Sequence, residues 1–63
     1  MTLNQSVRNI NGSRFAYRTT FHESEKEFAK SWALTVLKDN GSNFRIIKRI
    51  SCLETFLDIY EEI

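Results

Sequence analysis

The stretch ESEKEFAKSWALTVLKDNG, residues 23–41, constrains the fold more than any other part of the chain. Phe28, Trp32 and Val36 recur at four-residue spacing with Ala29, Ala33 and Leu37 beside them, the apolar stripe of a helix laid on a sheet. Glu25, Lys26, Lys30 and Lys38 fall mainly on the other side. Ser24 followed by Glu27 has the spacing of a reciprocal capping box, and Asn40-Gly41 supplies residues that tolerate the left-handed conformation closing a helix. This pattern predicts a helix over residues 25–38, with Phe28, Trp32 and Val36 in the core.

Such a helix needs a sheet to lie on. RFAYRTTF, residues 14–21, alternates Phe15, Tyr17, Thr19 and Phe21 against Arg14, Ala16, Arg18 and Thr20, as a half-buried strand does. Upstream, Asn11-Gly12 is the strongest hairpin signal. A three-residue loop of Ile10, Asn11 and Gly12 sets Val7 opposite Phe15 and Gln5 opposite Tyr17; a two-residue turn sets Val7 opposite Ala16 and splits the aromatic face. The first register is the expected one. NFRIIKRI, residues 43–50, reads as a third strand with Phe44, Ile46 and Ile50 on one face and Arg45, Ile47 and Arg49 on the other. Ser51 and Glu54 repeat the capping-box spacing, and Leu53, Phe56, Leu57 and Tyr60 form another helical stripe, predicting a second helix over residues 52–62.

The expected architecture is therefore α+β: one compact β-β-α-β-α domain spanning residues 1–63, with a three-stranded mixed sheet and both helices packed mainly on one face. A hydrophobic content of 41% with no proline separates the chain from disordered sequences. A domain this short buries only about 60% of the surface its unfolded chain exposes. Homodimerisation is one way to complete so thin a core, with the terminal helix at the subunit contact.

Catalysis finds little support in the residues. His22-Glu23 beside a helix start and Cys52 at the start of the next have no partner dictated by spacing, and one Cys with one His is too few donors for zinc. No glycine-rich phosphate loop occurs, and no cofactor is expected. The single Cys excludes an intrachain disulfide framework, and no apolar run reaches membrane-spanning length, so a cytoplasmic, non-membrane protein is expected.

Charge distribution says more than the net value of +1. Residues 40–50 carry three cations and no acid, while residues 51–63 carry four acids and no base. If strands two and three are neighbours, Arg14, Arg18, Arg45 and Arg49 share a helix-free face with Ile47 at its centre, offering bidentate donors to carboxylates of another protein. Glu54, Asp58, Glu61 and Glu62, with Tyr60 beside them, give the terminal helix an acidic surface that suits a basic site on a partner. The functional expectation is a small noncatalytic protein-binding module, a regulator or inhibitor that occupies a partner surface stoichiometrically. Two alternatives accompany it: nucleic-acid binding through the basic sheet face, and a structural homodimer subunit. The nucleic-acid alternative lacks an aromatic pair on the open face, because Phe15, Tyr17 and Phe44 are all assigned to the helix-covered side.

Overall fold

The computed structural model describes residues 7–63. The strands are β1 (Val7–Ile10), β2 (Ser13–His22), β3 (Phe44–Ser51) and β4 (Glu54–Glu62), paired antiparallel throughout in the order β1-β2-β4-β3. A curled four-stranded antiparallel sheet with one helical segment thus replaces the expected three-stranded mixed sheet with two helices. Residues 52–62 hold the difference. They form a turn and the strand β4, paired to β2 on one side and β3 on the other, not a terminal helix. Thr55, Phe56, Ile59 and Tyr60 are β-branched or aromatic, and the run alternates Leu57 and Ile59 inward against Phe56, Asp58 and Tyr60. Its apolar residues fit a helical and a strand period equally; cross-strand partners on both sides decide between them. Ser51 and Glu54, spaced like a capping box, are the closing pair of a two-residue hairpin.

Both hairpins turn on left-handed residue pairs. Asn11 and Gly12 have φ of 52° and 85°, and Ile10 pairs with Ser13, so Val7 lies opposite Ala16 and not Phe15. The expected Gln5 pairing lies outside the described residues. The two-residue turn wins because both central residues tolerate positive φ and its twist matches that of the strands. The second turn makes the same demand of less suited residues: Cys52 and Leu53 have φ of 51° and 66°. Each side chain adds a left-handed penalty of about 1 kcal/mol or more. Replacing Cys52→Asn together with Leu53→Gly should therefore raise stability by about 1–2 kcal/mol, seen as a higher urea midpoint. An unchanged or lower midpoint would show that this turn carries no such strain.

The connection from β2 to β3 is helical but not uniform. A 3₁₀ turn (Glu23–Glu25) leads into α1 (Lys26–Trp32), continued by a π-helical turn (Ala33–Leu37) and a 3₁₀ turn (Lys38–Asn40). The expected Ser24–Glu27 box is replaced by His22, whose Nδ1 accepts from the Ser24 backbone N–H at 3.1 Å. Closure follows expectation: Gly41 is left-handed at φ 84°, and the Asn40 side-chain amide donates to the Val36 carbonyl at 2.7 Å. Ala29, Ala33 and Leu37 meet Leu57 and Ile59 in the buried cluster, with Phe21, Trp32, Phe44 and Ile46 around it. An α-helix overshoots by about 40° every four residues, and the wider π turn swings back, keeping Leu37 above the sheet. Phe28, expected in the core, is 69% exposed, and Val36 is exposed as well; only Trp32 of that stripe is half-buried. Small alanines let the helix axis approach the sheet, so the larger stripe is displaced to its flank above β2. No helix among the described residues is long and apolar enough to cross a membrane.

Candidate functional site

Arg18 is a β-bulge between the pairs Tyr17–Tyr60 and Thr19–Ile59. It inverts the alternation of β2, sending Phe21 toward the helix while Phe15, Tyr17, Thr20 and His22 share the opposite, helix-free face. On this open face Tyr17 packs edge-on against Tyr60 with ring centroids 5.8 Å apart, and His22 against Phe56 at 5.5 Å. Arginines cover the rings: Arg8 over Tyr60 at 5.5 Å, Arg45 over Phe15 at 5.4 Å and Arg49 over Phe56 at 5.0 Å. Phe15 is buried here although no helix among the described residues covers this face.

Asp58 anchors the centre of this face and is buried. Arg49 donates to it twice, Nε to Oδ2 at 2.8 Å and Nη2 to Oδ1 at 3.2 Å, and the Thr20 hydroxyl donates to Oδ1 at 2.7 Å. With its proton given to the carboxylate, Thr20 accepts from the Tyr17 hydroxyl at 2.6 Å. The Arg49 hydrogen bonds, and then that of Thr20, hold the Asp58 carboxyl below its ordinary value against the opposing effect of burial. The folded state therefore favours the ionised form, and its stabilisation is complete above the ordinary value of 3.8 and fades as pH falls through the lower folded value. Asp58→Ala should cost about 2 kcal/mol at neutral pH, for loss of charge-assisted hydrogen bonds. The gap from wild type should close in strong acid, as urea unfolding at the two pH values would show; a gap independent of pH would rule out the ionised network as its source.

Beside the open face lies the edge of the sheet. Because Ser51 and Glu54 close a two-residue hairpin, the odd-numbered residues of β3 exchange hydrogen bonds with β4; the Glu62 N–H to Asn43 carbonyl bond at 2.9 Å continues that parity. The backbone groups of Phe44, Ile46, Lys48 and Ile50 consequently point outward. Among the described residues no strand pairs with them. Along the same side of the helical segment run Lys26, Lys30, Leu34 and Lys38. Two shallow clefts open between this flank and β3, one of 240 Å³ bordered by Lys26, Lys30 and Ile46, the other of 270 Å³ bordered by Leu34, Lys38 and Phe44.

Of the residues singled out in the sequence, Arg45, Ile47, Arg49, Asp58 and Tyr60 come together on the open face, with Glu54 at its end, where Oε1 lies 2.9 Å from His22 Nε2. Arg14 and Arg18 do not join them. Arg14 alternates with Phe15 and points to the other face, and Arg18 donates through Nε to Glu61 at 2.7 Å on the helix side. The four-arginine surface therefore does not form, since the alternation assumed for β2 took no account of the bulge. Nor does an acidic helix surface exist: Asp58 is enclosed, Glu61 accepts from Ser42 and Arg18, and Glu62 accepts from Asn43. The Ser42 hydrogen bond, and then that of Arg18, lowers the Glu61 carboxyl. Arg8, Tyr17 and the row Lys26, Lys30, Lys38 were not singled out. That Lys26, Lys30 and Lys38 fall on one four-residue repeat, with Leu34 between the last two, is visible in the sequence; that the row borders an open strand is not. Cys52 is exposed at the turn tip, and among the described residues no three His, Cys, Asp or Glu side chains gather as a metal site. No protein-family model, curated protein or solved structure matches this chain.

Proposed function

We propose that this chain is a noncatalytic protein-binding module, a regulator or inhibitor that occupies a partner through the open edge of β3. The observation that carries this reading is the outward-facing backbone of an eight-residue edge strand, uninterrupted by proline or bulge. Such an edge offers an extended segment a ready ladder of hydrogen bonds. Lys48 and the Arg45 guanidinium, which donates to the Phe44 carbonyl at 3.0 Å, guard the edge against indiscriminate pairing. Self-pairing is disfavoured, because Arg45, Lys48 and Arg49 with no acid on β3 would bring like charges together across a two-fold axis. A lone exposed thiol suits a reducing compartment, and the cytoplasm is the proposed setting.

Lys48→Pro tests the reading, since proline removes an outward N–H without touching the bonds to β4. Proteins that wild type retains in stoichiometric complexes should be lost by this variant while its fold, followed by circular dichroism, persists. Retention of the same partners with the same affinity would exclude the edge as the docking site. Direct nucleic-acid binding is a second reading, favoured by Arg8, Arg45 and Arg49 beside the exposed Tyr17 on the open face. It expects the opposite outcome: salt-sensitive binding of a single-stranded oligonucleotide, lost with Arg45→Glu and indifferent to Lys48→Pro.

A further inference from the structure

Resting on the edge-docking reading, we infer that the β3 edge takes an acidic extended segment of a partner protein, whose carboxylates meet the lysine row of the helical flank. A strand added to β3 would lie roughly 4.8 Å from it. Its side chains would then alternate between two surroundings. Those on the helix side enter the two clefts, where Ile46, Leu57 and Phe44 supply apolar floor and Lys26, Lys30 and Lys38 stand above it. Those on the other side meet Arg45, Ile47 and Arg49. Both surroundings are cationic.

The cations also differ in how far the fold already uses them. Arg18 and Arg49 are paired at 2.7 Å and 2.8 Å, and Lys48 lies 3.6 Å from Glu23. Among the described residues no carboxylate lies within ion-pair distance of Lys26, Lys30, Lys38 or Arg45. Glu27 is the one acid bordering the clefts. Unused positive charge beside an unpaired strand is complementary to an acidic strand and repels a second copy of β3. A nucleic acid would satisfy the lysines but offer no ladder to the outward backbone groups of Ile46, Lys48 and Ile50, whereas a peptide backbone answers both.

The probe is a labelled peptide as long as β3 in which glutamate alternates with valine, compared with a lysine–valine counterpart and with oligothymidine. The glutamate peptide should bind, weakening with salt, and the lysine peptide should bind at least about tenfold more weakly, since several surface ion pairs of under 1 kcal/mol each are exchanged for repulsions. Reversing Lys26, Lys30 and Lys38 to glutamate should invert that preference; a triple glutamine variant, which adds no repulsion, should reduce it. Lys48→Pro should abolish binding of either peptide. If both peptides bind equally and Lys48→Pro abolishes both, the edge docks strands but the acidic preference is overturned. Oligothymidine binding that competes with neither peptide leaves the proposal standing. If oligothymidine alone binds, regardless of Lys48→Pro, both the inference and the edge reading fall.

Discussion

Truncating Ile59 to alanine should remove about 3 kcal/mol of stability, a large part of the roughly 3–9 kcal/mol available to a domain of this size. Ile59 is fully buried in an inner strand of the sheet, between Thr19 on β2 and Ile46 on β3 and beneath Ala29, Ala33 and Leu37. Removing its side chain leaves a cavity that paired strands on both sides cannot collapse to fill. Ile50→Ala is the control, because Ile50 is 77% exposed on the same sheet and its loss should shift the denaturant midpoint by no more than about 0.5 kcal/mol equivalent. Equal costs for the two would be incompatible with β4 as an inner strand beneath the helix.

Ala33→Leu should be nearly as damaging, at about 2–3 kcal/mol, although it adds apolar atoms to a helix. Ala33 has no exposed surface and lies in the buried cluster with Leu57 and Ile59 of the sheet. A leucine there must lift the helix or force neighbouring side chains from their rotamers. Phe28→Ala, in contrast, deletes an aromatic ring at a position 69% exposed and should change stability little. The reverse ranking, with Phe28 critical and Ala33 tolerant, would mean that the helix meets the sheet by its large-residue stripe.

That pair of variants also locates what the residues did and did not encode. The helix, its closure at Asn40-Gly41, and the strands β2 and β3 follow from spacing and turn chemistry, because each rests on one dominant local signal. The orientation of the helix does not. Two stripes one residue apart compete for the core, and volume favours Phe28, Trp32 and Val36; only the gap above β4 selects the alanines. Residues 52–62 were ambiguous for another reason: Ser51 and Glu54 suit a helix cap and a hairpin-closing pair alike, and Cys52-Leu53 lacks the asparagine or glycine that marks a turn of this class. Pairing on both sides overrode the helical stripe of Leu53, Phe56, Leu57 and Tyr60.

The site depended on those same two points. Arg45, Ile47 and Arg49 were readable as one face because β3 keeps its alternation throughout. Arg14 and Arg18 were misplaced relative to them, since a bulge at Arg18 has no marker in RFAYRTTF such as glycine or proline. Once the bulge turns Phe15 and Tyr17 to the helix-free side, that side carries aromatic residues the plain alternation denies it, though Phe15 and Tyr60 lie beneath arginines. The edge of β3 was hidden more deeply. It exists because β4 inserts between β2 and β3, and a chain read with a terminal helix has no strand to insert.

Amide hydrogen exchange read residue by residue along β3 and β4 tests this arrangement most directly. β4 should be protected along its length, while β3 should alternate, with Ile47 and Arg49 slow and Ile46 and Lys48 fast, as expected of a strand bonded on one side only. Uniform protection of β3 would mean that its outer edge is already paired, and helical contacts through residues 54–62 with rapid exchange along β3 would contradict the fold and the docking edge together.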